Sequence, residues 1–243
     1  MTSKDLPSVQ MYPLGDAAVV VSFGDIISPD ILGWVTAFAD CLNKSPFPGF
    51  VELVPAYTTV TVFYTPWVVG EQGTESPYDR VIFFIQNRLA NLETAKTIAG
   101  NSVEIPVCYG GTFGPDLEFV ARVNNLSPEE VIAIHAGGTY LVYMIGFAPG
   151  FPYLGGMAPK IAAPRKENPV ADIPAGSVGI AGNQTGIYPI RTPGGWQLIG
   201  RTPLALFRPN QEPPALLKAG DQVKFIPISL AEFDKMMERQ NES

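Results

Sequence analysis

The side chains best suited to bind an anion are concentrated in one segment of the chain, residues 160–208. The segment has a net charge of +4, whereas the whole protein has a net charge of −7. Its cations are Lys160, Arg165, Lys166, Arg191, Arg201 and Arg208, and its acids are Glu167 and Asp172. Arginine binds carboxylates and phosphates through paired hydrogen bonds. The segment is therefore a candidate carboxylate or phosphate site, although a solvated basic surface has the same composition.

The triplet Arg-Thr-Pro occurs twice in this segment, at Arg191 and at Arg201, on either side of Gly194-Gly195. Such a glycine pair is typical of a tight turn between two strands. If the turn closes a hairpin, the two arginines lie opposite each other at its open end. We expect Arg201 to act in catalysis and Arg191 to bind the substrate.

Glycine recurs at every third residue within residues 174–182, and a glutamine follows at once. Glycine lets the backbone come close to a ligand, and successive N–H groups can hold an anion. We expect residues 176–182 to form a loop, and the expected substrate-binding residues are Gly176, Ser177, Gly179 and, just after the loop, Gln184. We expect them to lie near Arg201, although a β-barrel needs glycine turns in any case.

Two further residues are candidates for the site. His135 is the only histidine, and it falls near the end of a predicted helix, where the helix dipole favours the protonated imidazole. Its intrinsic pKa suits a general acid or base, although it could equally be a hydrogen-bonded structural residue. Tyr153 belongs to an aromatic and glycine-rich motif, residues 146–156, and is a candidate substrate contact.

Several common chemistries are excluded by missing motifs. The chain has no G-x-x-x-x-G-K-[ST] loop and therefore no self-contained phosphate-binding loop for ATP. One histidine and two distant cysteines cannot form a structural zinc site, and no metal ligands are predicted. The stretch Gly176–Gly179 does not have the spacing of a G-x-S-x-G nucleophile elbow.

Composition also limits the class of protein. A net charge of −7 argues against nucleic acid and against an anionic membrane as partners. The longest apolar run, Tyr140 to Ala148, is far too short to span a bilayer. The N-terminus has no secretory pattern, and Cys41 and Cys108 are interpreted as ordinary thiols of a reducing compartment. We expect a cytoplasmic protein.

The uneven distribution of glycine and proline predicts two domains. Residues 1–100 hold 7 Gly and 8 Pro, whereas residues 101–243 hold 17 and 16. We expect an N-terminal domain over residues 1–95, a C-terminal domain over 101–230 and a tail over 231–243. The junction is expected at Asn91 to Asn101.

Each predicted domain has its own order of elements. Strands at 17–23, 50–54, 58–64 and 103–107, with helices at 29–43 and from Pro77, give the order β-α-β-β-α-β of a ferredoxin-like sandwich. Two helices at 115–124 and 128–136 follow. From Thr139 onward, short apolar runs broken by turns predict an all-β barrel or sandwich. The fold class is therefore α+β.

The same motifs resemble a known family, that of carboxyltransferase subdomain C/D. The resemblance rests on Gly146 to Gly156, Pro164-Arg165, Pro174 to Gly182, Gln184 to Pro189, Pro193 to Pro203, Gly15-Asp16 and Glu52 to Pro55. The family includes the B-type subunit of 5-oxoprolinase, the inhibitor of sporulation kinase A and allophanate-hydrolase subunit 1. It implies a ferredoxin-like N-terminal domain and a cyclophilin-like C-terminal barrel.

The resemblance also implies a function and partners. It favours the B-type subunit of a bacterial ATP-dependent 5-oxoprolinase, inactive alone, which acts with an A-type and a C-type subunit and shares an active site with the C-type one. ATP, with Mg²⁺ as a further option, is then the expected cofactor. An alternative is a binding module that inhibits a sporulation sensor histidine kinase by contacting its dimerisation helices. A component of allophanate-hydrolase or urea-carboxylase type is the least favoured.

Overall fold

The computed structural model describes residues 6–70, 76–92 and 100–241 of the chain. The chain divides into two compact units, Met1–Ala99 and Gly100–Ser243. The predicted junction, Asn91 to Asn101, falls mostly on residues 93–99, which lie outside the described residues.

The described part of the first unit is an antiparallel sheet with helices packed on one face. Its strands are β1 (Gln10–Pro13), β2 (Ala18–Ser22), β3 (Phe50–Pro55) and β4 (Thr59–Tyr64), and its helices are α1 (Pro29–Lys44), α2 (Pro66–Gly70) and α3 (Pro77–Ala90). The strands lie in the order β1-β2-β4-β3. Helix α1 begins as the sequence predicts, because the Ser28 hydroxyl accepts a hydrogen bond from the Ile31 backbone N–H at 3.2 Å. Phe38, Val62 and Ile85 are among the fully buried residues between the layers.

One strand of the predicted β-α-β-β-α-β order lies elsewhere. The strand predicted at 103–107 exists as β5 (Ser102–Tyr109), but it belongs to the barrel of the second unit. The place beside β2 that a ferredoxin-like sheet gives to its last strand is taken by β1. Strand order in a sheet depends on long-range pairing, which local residue patterns do not reveal.

The described part of the second unit is a closed barrel that confirms the α+β class. Its elements after β5 are α4 (Leu117–Val123), α5 (Pro128–Gly137), β6 (Tyr140–Ile145), β7 (Pro152–Gly155), β8 (Val170–Ile173), β9 (Ser177–Ala181), β10 (Gln184–Ile187), β11 (Thr192–Gly194), β12 (Gln197–Arg201), β13 (Gln222–Pro227) and α6 (Leu230–Asn241). The barrel order is β10-β7-β6-β13-β5-β12-β9, and β13 pairs with β5 in parallel. Strands β8 and β11 form a separate two-stranded sheet.

The barrel core includes residues from α4 and α5, the two helices between β5 and β6. Val120 of α4 and Val131 of α5 are fully buried with Ile105, Ile180 and other strand residues. A capping box fixes the start of α5: the Ser127 hydroxyl accepts from the Glu130 N–H at 3.2 Å, and the Glu130 carboxylate accepts from the Ser127 N–H at 2.7 Å. Helix α5 therefore begins at the predicted residue, α4 begins two residues later than predicted, and both help to fill the barrel.

The residues expected to form a C-terminal tail form helix α6. Phe233, in its first turn, is only 5% exposed. Within residues 6–70, 76–92 and 100–241, no helix has the length and apolar character needed to cross a membrane.

Candidate anion-binding site

Arg201 lies at the end of β12, where the strand runs into a loop. Its Nε donates a hydrogen bond to the Ala175 carbonyl oxygen at 2.8 Å, and its guanidinium carbon lies 5.8 Å from the centre of the Phe113 ring. The side chain is half-buried. Burial, and second the nearby positive charge of Arg191, lower the pKa of Arg201. Arg201 is thus a cation held by its neighbours rather than a freely moving surface arginine.

The predicted hairpin between the two arginines does not form. Thr192–Gly194 pairs with β8, and β12 pairs with β5 and β9, so the Gly194-Gly195 turn joins two different sheets. Gly194 packs so tightly against Tyr188 and Ile173 that a side chain would not fit, which explains why a glycine stands there. The positive charge of Arg191 nevertheless contributes to lowering the pKa of Arg201, and Arg191 makes an exposed ion pair with Asp172 at 3.1 Å. The two arginines therefore influence each other through their charges, without the hairpin that the sequence suggests.

The glycine-rich segment predicted to be a ligand-binding loop is mostly a buried strand. Ser177–Ala181 forms β9 in the barrel wall, with Gly179 opposite Gly186 on one side and Leu198 on the other. A Cβ on Gly179 would come within 3.1 Å of the Trp196 Cβ, so this glycine makes room for an aromatic side chain. We expected Gly179 to contact a ligand, but the structure buries it in the barrel wall.

Gln184 lies at the opposite end of β9 from Arg201. Gln184 pairs with Ala181, whereas Arg201 pairs with Ser177. A five-residue strand separates its ends by roughly 13 Å. The expectation that Arg201 lies near Gln184 is therefore wrong, because the residues between them are extended.

Gly176 and Ser177 do lie beside Arg201. Gly176 has φ of +83°, and a Cβ there would collide with the Thr202 carbonyl oxygen. Its N–H donates to the Tyr188 carbonyl oxygen, and its own carbonyl oxygen accepts from the Thr202 N–H. Ser177 is 2% exposed. The turn at 174–176 thus requires glycine and holds the Ala175 carbonyl toward Arg201.

Two of the six cations in the basic segment are paired with carboxylates. Besides the ion pair of Arg191, Lys166 Nζ lies 2.6 Å from Asp116 Oδ2, and both side chains are largely buried. The Asp116 carboxylate also accepts the Leu198 N–H at 2.7 Å. Asp116 stands at the N-cap of α4, where its residue type predicts a cap, but it makes no cap hydrogen bond. It instead ties the 164–169 segment to β12.

Tyr153 belongs to an aromatic cluster outside the barrel core. Its ring centre lies 5.2 Å from that of Phe151, which also contacts Tyr188 and Trp196 at 5.8 Å each. Tyr188 and Trp196 are buried, which supports a packing role for most of these rings. Phe147 differs: it is 68% exposed and has φ of +66°, a backbone conformation that is rare for a non-glycine residue.

His135 is fully buried inside the barrel. Its ring centre lies 4.4 Å from that of Phe225. Burial lowers its pKa to about 3, so the imidazole is neutral at ordinary pH. The predicted effect of the helix dipole is therefore outweighed by desolvation.

The hydrogen bonds of His135 define its tautomer. Its Nε2 lies 2.8 Å from the Thr185 hydroxyl, which donates its own hydrogen to the Gly179 carbonyl oxygen at 3.0 Å. The Thr185 oxygen is then the acceptor, so Nε2 carries the proton. Nδ1 accepts from the Tyr109 hydroxyl at 2.7 Å. The result is a continuous polar chain from β5 through α5 to β9, in which His135 has a neutral ring and two satisfied nitrogens.

The partners in these arrangements were not predicted from the sequence. Tyr109, Thr185, Asp116 and Phe113 are isolated in sequence from the residues they contact, and only Asp116 carried a local signal, as a potential helix cap. No group of three His, Cys, Asp or Glu side chains able to hold a metal ion occurs among the described residues.

The assembled site is suited to binding an anion. Among the described residues, the hydrogen bond of the Arg201 side chain is made by Nε, which leaves its terminal nitrogens available to a ligand. An anion bound there could accept paired hydrogen bonds from Arg201, and the charge of Arg191 would add a favourable long-range interaction. The described chain is thus an α+β protein whose barrel unit carries a candidate anion-binding arginine at the end of β12.

The sequence comparisons identify the family of the chain. The chain belongs to the family of the carboxyltransferase domain, subdomain C and D, whose sequence model matches residues 9–217. It is 56% identical to the 5-oxoprolinase B-type subunit of Bacillus subtilis, over 96% of this chain and 98% of that protein. It is 42% identical to the 5-oxoprolinase B-type subunit of Haemophilus influenzae, over 90% of this chain and 97% of that protein.

A solved structure supports the fold. The crystal structure of the K. lactis urea amidolyase matches with a TM-score of 0.75 and 18% identity, over 98% of this chain and 16% of the amidolyase. At that identity the likeness concerns the fold alone. A similar fold thus occurs as a small part of a much larger protein.

Proposed function

We propose that this chain is the B-type subunit of an ATP-dependent 5-oxoprolinase, which opens 5-oxoproline to glutamate, and that it contributes part of an active site completed by a partner protein. The observation that carries the proposal is the end-to-end match, at 56% and 42% identity, to two proteins that bear this name in distantly related bacteria. The geometry around Arg201 fits the substrate, which carries a carboxylate.

Arg201 is the residue we assign to anion binding. Its Nε is used by the Ala175 carbonyl oxygen, so its terminal nitrogens project as a fixed fork. A fork held in this way loses little side-chain entropy when it binds a carboxylate or phosphate oxygen. Arg191, which lies nearby and is exposed, supplies a second positive charge. Gly176 shapes the turn that holds the fork.

ATP is the cofactor that this reaction requires, since it activates the otherwise stable lactam carbonyl. The described residues fit only part of such a ligand. The two arginines can bind phosphoryl oxygens or the substrate carboxylate, but the sequence has no phosphate-binding loop. We therefore assign the remaining nucleotide contacts, and those to any Mg²⁺, to the C-type and A-type subunits.

His135 has no part in the proposed reaction. A general acid or base must come within hydrogen-bond reach of its substrate, whereas His135 is 0% exposed and both its ring nitrogens are engaged. We assign it a structural role inside the barrel.

Reconstitution with purified components tests the proposal. We expect no 5-oxoproline-dependent ATP hydrolysis by this chain alone, by its A-type and C-type partners alone, or by any pair of the three. The complete set should hydrolyse ATP and produce glutamate. Robust turnover by this chain alone, or full activity of the two partners without it, would contradict the shared-site proposal.

A further inference from the structure

Arg201 is flanked by an aromatic pair that the family resemblance does not account for. The Phe113 ring lies next to the guanidinium group, at 5.8 Å from its central carbon. The Phe233 ring of α6 packs against Phe113, with ring centres 4.4 Å apart and an angle of 39° between the planes. Arg201, Phe113 and Phe233 therefore form a continuous row from the candidate site to the C-terminal helix.

The loop that carries Phe113 is held in one conformation. The Phe113 and Gly114 N–H groups both donate to the Gly110 carbonyl oxygen, at 3.1 and 2.8 Å. Gly114 is pressed against the Ile199 backbone of β12 so closely that a Cβ would collide with it. The loop thus sets Phe113 beside the strand that ends in Arg201.

Helix α6 begins with a capping box, and its first turn carries Phe233. The Ser229 N–H and hydroxyl both donate to the Glu232 carboxylate, at 2.8 and 2.7 Å, and the Glu232 N–H donates back to the hydroxyl at 3.3 Å. Phe233 is 5% exposed, whereas Leu230 in the same turn is 55% exposed. The burial of α6 is therefore concentrated on one ring.

Helix α6 also packs against β5, the strand that pairs with the end of β12. The negative charge of Asp234, after burial, raises the pKa of the Cys108 thiol. Cys108 is the residue of β5 that pairs directly with Arg201. Helix α6 lies beyond residue 217, where the family match ends. It is thus an element outside the matched segment that packs next to the candidate site.

We infer that Phe113 and Phe233 are positioning residues for Arg201. Phe113 limits the guanidinium group on one side while the Ala175 carbonyl holds Nε, and Phe233 keeps the Phe113 ring in place. A cation beside an aromatic ring is stabilised by the ring's electrons, and a fixed guanidinium group binds an anion at a smaller entropic cost. This inference rests on the proposed role of Arg201 in anion binding.

The contact is tested first on the isolated full-length chain by nuclear magnetic resonance. The Arg201 Nε–H signal is assigned by its loss in Arg201→Lys, and its hydrogen exchange is compared among variants. Phe233→Ala should speed this exchange about tenfold or more, Phe233→Trp should restore it, and Leu230→Ala, in the same helical turn, should leave it unchanged. Slow exchange of the Ile180 amide serves as the control for an intact barrel.

The functional consequence is measured in the complete enzyme. Phe233→Ala should lower kcat/KM for 5-oxoproline about tenfold, mainly through KM, and Phe233→Trp should restore it. Unchanged Arg201 Nε–H exchange in Phe233→Ala would overturn the inference, as would faster exchange with unchanged kcat/KM. If the wild-type complex has no 5-oxoprolinase activity, the proposed function fails, and the exchange experiment still decides whether the aromatic pair restrains Arg201.

Discussion

At the scale of single residues, His135 shows how burial changes the chemistry of a side chain. The imidazole that looked like a general acid or base from sequence is enclosed by aromatic rings, and its pKa is lowered to about 3. The folded protein therefore keeps it neutral, whereas the unfolded chain protonates it near its ordinary pKa of 6.5. The unfolded state binds more protons below this value, so the folded state loses stability as the pH falls.

This difference predicts a measurable pH dependence. The contribution of His135 to stability should be fully present above pH 6.5 and should decline by about 2 kcal/mol between there and about pH 5. Urea unfolding of the wild type and of His135→Gln at several pH values in this window measures it. Because His135 is the only histidine, the variant should lose most of the slope. Equal slopes in the two proteins would show that the ring is already protonated or exposed in the folded state.

At the scale of elements, the loop that follows β5 depends on a glycine that the sequence alone did not single out. Gly114→Ala would force a Cβ into the Ile199 carbonyl of β12. Overpacking of this kind costs about 1–3 kcal/mol or more, and the melting temperature should fall by several degrees, about 2–4 °C per kcal/mol. Gly137→Ala is the matched control, since that glycine ends α5 with nothing within 4 Å of the added atom. A melting temperature for Gly114→Ala equal to that of Gly137→Ala would contradict the close contact.

Local sequence patterns predicted the helices and strands better than they predicted which strands pair with each other. The starts of α1, α3 and α5 follow from a serine cap and a proline at the first helical position, which act within one turn. The assignment of β5 to the barrel depends on its pairing with β12 and β13, which are far away in sequence. The same reason explains why glycine spacing predicts a loop where the structure has strand β9: Gly179 makes room for Trp196, a contact that spacing alone cannot reveal.

The sequence predicted only part of the candidate site, because contacts between residues distant in sequence are not visible in local patterns. The charge of the basic segment identified Arg201 and Arg191, because charge is a property of the residues themselves. The structure removed Gln184 and Gly179 from their neighbourhood, and it added Phe113, whose ring reaches Arg201 through the fold. Whether any of the predicted residues contacts substrate stays a prediction.

At the scale of the whole molecule, the protein resembles components of larger enzymes. The fold recurs as 16% of a much longer amidolyase, and its relatives are named as subunits.

We predict a stable complex with a C-type subunit of 5-oxoprolinase, since Phe147 is 68% exposed in a strained backbone conformation and such aromatic groups often anchor interfaces. Separate elution of the two proteins in size exclusion at micromolar concentration would contradict it. Inhibition of a sensor histidine kinase and a cytoplasmic location also stay predictions.

The matched test of that interface is Phe147→Ala against Phe83→Ala. Phe83 is similarly exposed, at 61%, but lies on α3 of the N-terminal unit. Loss of an aromatic hot spot costs at least about 2 kcal/mol, so Phe147→Ala should weaken the complex with the C-type partner by about thirtyfold in Kd. Phe83→Ala should leave the Kd unchanged, and equal effects of the two variants would rule out Phe147 as the anchor.

The central claim, that this chain supplies an anion-binding arginine to a shared 5-oxoprolinase site, is tested most directly by Arg201→Ala in the complete enzyme. Loss of a charged hydrogen bond costs about 1.5–3 kcal/mol, so kcat/KM for 5-oxoproline-dependent ATP hydrolysis should fall about tenfold to a hundredfold. The melting temperature should change little, and the exposed Arg208→Ala should behave as wild type. Near-wild-type activity of Arg201→Ala, or a loss of activity accompanied by a matching drop in melting temperature, would contradict the claim.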